Sequence, residues 1–311
     1  MRARNALAVV LIAAATGFGP GAGTAAAEPA YLPYYAVMDP PIVYPGAVVR
    51  LRVRPPAGAE TGTVLVAGRR FQGEIEDGIF SAYFAVDVDT LPGPYVLTYD
   101  VGSRHGTRTV TVRARRFDEE GRVAVPISHD DEAVEDLTKG SKRLVSLWNR
   151  VTLERYWSGS FLSPVPGVVG GPFGMHKTVD ESEAAEPLTS VGLISKSEAT
   201  VVASNRGVVA LIADAPGGKF LVLDHGMGLY TYYAGLAATE VEEGQLVTRG
   251  AKIARLPARH QPVMHFGARL GGSDVDPITL PGIEMQVPDL LPEAAHRAPS
   301  EERYRQHDYD Y

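Results

Sequence analysis

Short runs of alternating apolar and polar residues, broken every ten residues or so by glycine and proline clusters, dominate this chain. That pattern leaves antiparallel β structure as the economical solution, because side chains on a strand repeat with period two. Val49, Leu51 and Val53 interleave with Val48, Arg50, Arg52 and Arg54. Similar runs occur at residues 63–66, 80–88, 95–101 and 107–112. Between them lie Pro55-Pro56-Ala57-Gly58, Glu76-Asp77-Gly78 and Leu91-Pro92-Gly93-Pro94, which are turn formers. Residues 31–116 are therefore expected to form an immunoglobulin-like antiparallel sandwich. The arginines of the second strand read as a solvated sheet face, with a ligand face as the alternative.

The pattern returns after about residue 160. Residues 207–212 and 219–224 flank Pro216-Gly217-Gly218 and predict a hairpin. Gly226-Met227-Gly228 predicts a second turn, followed by a strand over 229–234, and a further strand is expected over 263–269. Between the two β regions, Ala133, Val134, Leu137, Leu144, Val145 and Trp148 fall near helical spacing, interrupted by Gly140. This predicts a short helical linker within 129–158, with Trp148 as a packing anchor. The segment 293–311 is a polar tail.

Of 311 residues, 45% are hydrophobic and 22% charged, so cores for two domains are available. There is no cysteine, which excludes disulfides, a thiolate nucleophile and Cys-ligated zinc. A formal net charge of −7 argues against nucleic acid as a partner. At the N-terminus, Arg2 and Arg4 precede an apolar run over 6–15, and small residues lead to Ala25-Ala26-Ala27. This is the pattern of a signal peptide over 1–27. Its apolar core is shorter than the roughly 20 residues that a spanning helix needs. The expected product is exported, periplasmic or secreted, and not membrane-spanning after cleavage.

More specific motifs follow in order. They are Phe161-Leu162-Ser163-Pro164-Val165 with Gly170-Gly171-Pro172-Phe173-Gly174; Val201-Val202-Ala203 with Gly207-Val208-Val209; and Leu223-Asp224-His225-Gly226 with Gly228, Thr231, Tyr233 and Ala234. Then come Val241, Gly244-Gln245, Val247, Gly250 and Ile253, and finally His265-Phe266 and Asp276-Pro277. Together they resemble the lysostaphin-type, or LytM-like, zinc endopeptidases, which cut peptide cross-links in bacterial cell walls. The resemblance implies a LytM-like antiparallel β domain over 159–290, so the fold class expected is mainly all-β.

The resemblance also implies a zinc ion held by two histidines and an aspartate, with an open position for water. Two further histidines would orient that water and stabilise developing charge. This chain departs from the pattern at nearly every such position. Ser190 and Ile194 stand where the first histidine and the aspartate belong. Gly235 and Val263 replace the two catalytic histidines. Only His265 matches a ligand position. No catalytic residue, no metal ligand set and no cofactor are therefore expected. A rebuilt metal site from His176, His265 and a nearby carboxylate is the register-shifted alternative, while His260 would face away from His265 on a straight strand. His225 is expected to be a hydrogen-bonded structural histidine beside a turn.

Three functions compete. The favoured one is a non-catalytic LytM-like protein of the cell envelope, which binds peptidoglycan or regulates a cell-wall hydrolase as an amidase activator does. Candidate groove residues are His225, Tyr230, Tyr232 and His265. The second is a working zinc endopeptidase with an atypical ligand set, the only reading that needs zinc. The third is a structural or adhesive envelope protein in which the sandwich binds. The loop 177–187 or the tail is a candidate to fill the groove.

Overall fold

In the computed structural model, residues 36–117, 137–138, 141–175, 187–215 and 217–285 are described. The expected signal peptide, the loop over 177–186, His176 and the tail lie outside these residues. Among the described residues, no helix is long and apolar enough to cross a membrane.

The N-terminal part consists of β1 (Val37–Asp39), β2 (Val48–Val53), β3 (Thr61–Val66), β4 (Arg69–Glu76), β5 (Ile79–Ala85), β6 (Gly93–Val101) and β7 (Arg104–Val112). Their order is β1-β2-β5-β4-β3-β6-β7, and every neighbouring pair is antiparallel. This is the immunoglobulin strand order, with the two sheets joined through the β3–β4 hairpin into one continuous ladder. A parallel bridge between Val43 and Val112 links its two ends. The alternation in β2 is realised as read. Val49, Leu51 and Val53 are buried, and Arg50 and Arg52 face the other way.

The chain continues through α1 (Lys142–Trp148), β8 (Gly167–Gly171), β9 (Ser190–Ser195), β10 (Thr200–Val202), β11 (Gly207–Ala215), β12 (Gly218–Gly226), β13 (Leu229–Leu236), β14 (Ala238–Thr239), β15 (Leu246–Val247), β16 (Lys252–Arg255), β17 (Val263–Leu270) and β18 (Ser273–Val275). A large sheet runs β15-β11-β12-β13-β17-β9-β8, with β18 paired to β17. A small sheet, β10-β16-β14, flanks it. The hairpin β11–β12 and the strands β13 and β17 occur where the turn chemistry predicts them.

The segment expected to be a helical linker is helical at α1, while residues 149–158 run without helix. Rather than spanning a gap, α1 lays Leu144, Leu147 and Trp148 on one face of the large sheet. There they meet Phe220, Val222, Tyr230 and Tyr232. Trp148 is a packing anchor: it meets Tyr230 edge-on at 5.5 Å, and its indole N–H donates to the carbonyl of Thr138.

The opposite face of the large sheet shares one continuous apolar core with the sandwich. Polar ties reinforce it. The Asp276 carboxylate, 1% exposed, accepts from Arg115 at 2.7 Å and from the Ile278 amide at 3.2 Å. Its own amide donates to the carbonyl of Gly46 in the sandwich at 2.8 Å. Arg155 pairs with Glu74 at 3.0 Å and with Glu76 at 2.8 Å, both on β4, and stacks over Trp157 at 4.7 Å. A hydrogen bond from Arg155 holds the Glu76 carboxyl below its ordinary range, against the opposing effect of partial burial.

Two outcomes follow from this packing. Asp276→Ala strips Arg115 of a buried partner and removes the cap of the following turn, and should cost about 3–5 kcal/mol. Denaturant unfolding would show it as a lowered midpoint within a single transition. Gly226 has φ +83°, and a Cβ there would be driven into the carbonyl oxygen of Glu154. Gly226→Ala should therefore lower the melting temperature further than a surface substitution does, and calorimetry would check it.

Candidate functional site

Positions 190, 194 and 265 come together without any adjustment of register. In the β9–β17 pair, Gly267 lies opposite Ser190, His265 opposite Gly192, and Val263 opposite Ile194. Side chains two apart share a face, so Ser190 and Ile194 sit on either side of His265, at the ~7–8 Å diagonal spacing of neighbouring strands. Long donors at all three positions would converge on one point between the strands. A serine hydroxyl is too short and only weakly ligating for that purpose, and an isoleucine carries no lone pair. The residues present therefore do not fit the zinc that the resemblance implies. Among the described residues, no three His, Asp or Glu side chains are grouped as a metal site.

The two positions at which the resemblance expects catalytic histidines differ in kind. Val263 is half-buried on the same face as His265 and offers no nitrogen. Gly235 has φ +76°, in the left-handed region, and a Cβ there would press on the carbonyl of Val263 at 3.0 Å. Here the backbone itself disfavours a side chain.

His265 is buried, 5% exposed, and is already engaged in an interaction. Beside it the face is closed by rings. Gly267 leaves room for the Tyr232 ring, which would overlap any Cβ at that position. The Tyr232 hydroxyl donates to the carbonyl of Thr189 at 3.1 Å and accepts from the Thr189 hydroxyl at 3.1 Å. Phe220 stacks on the same ring at 5.5 Å, and Trp148 lies 6.4 Å away. Tyr230 donates to the carbonyl of Arg150 at 2.9 Å, and burial together with nearby Asp224 raises its hydroxyl pKa. The two tyrosines are thus the buried floor of an aromatic layer under α1, not the walls of an open groove.

His225 belongs to the other face of the sheet. On β12, Leu221, Leu223 and His225 alternate with Phe220, Val222 and Asp224, and the first set faces the core shared with the sandwich. His225 and His265 are therefore separated by the sheet, and the four candidate groove residues do not line one surface. The local fold explains why a histidine stands there. A carbonyl can only accept, so His225 Nδ1 carries the proton and donates to the carbonyl of Arg206 at 2.8 Å. Nε2 then accepts from the Thr231 hydroxyl at 2.8 Å. Thr231 accepts from the Tyr233 hydroxyl at 3.0 Å, and Tyr233 accepts from the Ser204 amide at 3.1 Å. The Phe161 ring packs against the imidazole edge-on, with 5.3 Å between centroids. The Asp224-His225-Gly226…Thr231…Tyr233 motif is thereby a structural relay inside the core. Asp224 accepts from the Thr152 hydroxyl at 2.6 Å and from the Gly226 amide at 2.8 Å, which shapes the turn.

Sequence reasoning did not single out Thr189, Arg155, Trp157 or Arg115, and it read Asp276 only as part of a closing motif, without its partner. Their roles depend on pairings across long stretches of chain, for which a period-two pattern carries no signal.

Complete burial pushes the His225 pKa down to about 4 from the ordinary 6.5, and the bond to Arg206 offsets only part of that. The unfolded chain takes up a proton near pH 6.5, while the folded chain resists until about pH 4. The contribution is full above pH 6.5 and is lost as pH falls from 6.5 to 4, by about 3 kcal/mol. Urea midpoints measured across that window should decline steeply in the parent protein. They should decline less steeply in His225→Gln, whatever its absolute stability.

Residues 187–277 match the family model for Peptidase family M23. Among solved structures, a putative peptidase M23 from Pseudomonas aeruginosa is similar over 76% of this chain and 93% of its own, at 21% identity and a TM-score of 0.56. That coverage exceeds residues 187–277, so the shared fold extends beyond the family match. Csd3 from Helicobacter pylori matches over 75% of this chain and 68% of its own, at 12% identity and a TM-score of 0.37. The catalytic domain of the antimicrobial peptidase lysostaphin from Staphylococcus simulans matches over 36% of this chain and 90% of its own, at 18% identity and a TM-score of 0.30. Only the first superposes closely enough to speak for the fold. A search of curated proteins returned no match. Residues 187–277 of this mostly β chain are a LytM-type domain of Peptidase family M23.

Proposed function

We propose that this chain is an exported, non-catalytic M23-type protein of the bacterial cell envelope, which binds peptidoglycan or regulates a separate wall hydrolase. The observation that carries this reading is the β9–β17 register, which brings Ser190, Ile194 and a single histidine, His265, onto one face, where the resemblance expects three zinc ligands. The aliphatic Val263 and the left-handed Gly235 at the remaining two positions support it. The retained motifs serve the fold: His225, Thr231 and Tyr233 hold each other in the core. On this reading the sheet keeps its fold while groups that pack stand where reactive groups are expected. Such a scaffold suits recognition better than hydrolysis.

Elemental analysis of the purified protein should find well under one zinc per chain, and incubation with sacculi should release no cross-link fragments by muropeptide chromatography. Cosedimentation with sacculi, or activation of an added wall amidase, is the expected positive result. Stoichiometric zinc together with cross-link cleavage would overturn the reading in favour of the endopeptidase. The paired change Ser190→His and Ile194→Asp should raise zinc affinity measurably from almost none. In an enzyme with an atypical ligand set, it would instead disturb zinc already bound.

A further inference from the structure

An antiparallel sheet that turns one face to water normally lines it with polar and charged residues. The outer face of β3, β6 and β7 carries no charge over three successive rows. Leu97, Tyr99, Val110 and Val112 are buried in the sandwich core, so the alternate positions of these strands point outward. Register sets Pro94 beside Thr111, Val96 beside Thr109, and Leu65 beside Thr98 and then Thr107. Val96 is 66% exposed and Leu65 36%. Branched and methyl-bearing side chains on a flat ladder are what one sheet presents to another, and a contiguous exposed patch of them marks a contact surface.

Charge returns only at the borders. At one end of the face Asp100 lies opposite His105, with its carboxylate 2.5 Å from Nδ1. At the other end Arg113 follows directly on β7, its amide donating to the carbonyl of Val43 at 2.9 Å. Among the described residues, no hydrogen bond or ion pair engages the Arg113 side chain. Along the side, Arg70 on β4 donates to the Thr63 hydroxyl. The outward positions of β7 therefore run from His105 through three threonines to Arg113, with Thr109 at the midpoint. The anionic row and the cation stand four residues from Thr109 on either side.

This spacing is self-complementary. A half turn about an axis that crosses the strands at Val96 and Thr109 lays the face on its own image, with facing strands running in opposite directions. Val96 meets its own counterpart on the axis, and Arg113 of each copy comes over Asp100 of the other, so the charge contact forms twice. The alternative half turn, about an axis along the strands, brings Arg113 over Arg113 and is opposed by like charge.

We propose that this face is a homodimer interface, a sheet-on-sheet contact between two sandwiches with Val96 at its centre and Arg113–Asp100 pairs at both ends. Strand spacing and rise give it roughly 400 Å² per copy, about half of a standard interface, so the dimer is weak and depends on concentration. The contact uses no residue of the M23-type domain and stands apart from the reading of Ser190 and Ile194.

Sedimentation velocity on the purified protein, from about 5 μM to about 1 mM, tests this. The expected result is a monomer–dimer equilibrium, with the mean sedimentation coefficient rising with concentration. Val96→Lys places two ammonium groups on the axis and should abolish the dimer, and Thr109→Lys repeats the test on the neighbouring strand. Asp100→Arg should weaken association at least about tenfold, and adding Arg113→Asp to it should bring association back close to the parent's. These side chains are exposed, so the melting temperatures of the variants should stay near the parent's. Val145→Lys, at an apolar position of α1 that is 42% exposed, should leave the dimer unchanged. A monomer at every concentration overturns the proposal. So does a dimer that survives both lysine variants, which assigns the contact to another surface. A double exchange that fails to recover what Asp100→Arg loses overturns the antiparallel arrangement.

Discussion

The segment from Thr152 to Leu162 is the tie on which the two halves of this molecule depend. The Met227 amide donates to the carbonyl of Thr152, and the Tyr156 amide to the carbonyl of His225, so this segment is hydrogen-bonded to the turn between β12 and β13. One residue before Tyr156, Arg155 reaches the other way to two carboxylates of β4. Farther on, the Leu162 amide donates to the carbonyl of Ser204, and Asn205 donates to the carbonyls of Ser158 and Ser160. A single extended stretch thus carries the M23-type sheet on one side and the sandwich on the other. Gly226 is glycine because that stretch lies against it. The sharpness of the Asp224-His225-Gly226 turn and the placement of the sandwich are therefore one constraint seen from two sides.

Much of the architecture was legible because burial on a strand imposes period two. The hairpin of β11 and β12, the turn at Gly226-Met227-Gly228 and the strand carrying His265-Phe266 were all readable from local spacing. The immunoglobulin order of the sandwich was also within reach, though not the β3–β4 pairing that fuses its sheets into one ladder. What local spacing could not supply was the side of the sheet. His225 and Tyr232 both lie in motif-rich strands, yet they point into different cores, because facing depends on which strand each pairs with and where a bulge intervenes. The register shifts between Asp224 and Gly226 are of this kind. The linker helix was legible as a helix but not as a cover for Tyr230 and Tyr232, since an apolar stripe does not name its partner.

The candidate site shows the same division. Its positions were readable from the order of motifs, and the β9–β17 register places them together. The filling of the space was not readable. Tyr232 lies across Gly267 and bonds to Thr189 beside Ser190, so an aromatic ring and two hydroxyls occupy ground next to the first ligand position. A glycine at 267 reads in sequence as ordinary strand variation. In the fold it is the seat of that ring.

On the proposed reading, the departures from the family pattern differ in how readily they could be reversed. Ser190 and Ile194 are single side chains on a well-paired strand, and exchanging them leaves the backbone ladder intact. Gly235 is another matter, because a histidine there would have to adopt a left-handed conformation and push against the carbonyl of Val263. The strain of a non-glycine residue in that region is of order 1–3 kcal/mol before any packing is considered. Tyr232 adds a second obstacle, since its hydroxyl is committed to Thr189 and its ring to Phe220. Restoring donors at 190 and 194 would therefore rebuild a place for a cation without rebuilding the groups that turn its bound water into a nucleophile. On the proposed reading, metal binding and hydrolysis would be separable on this scaffold, and the backbone at 235 would be the point at which they part.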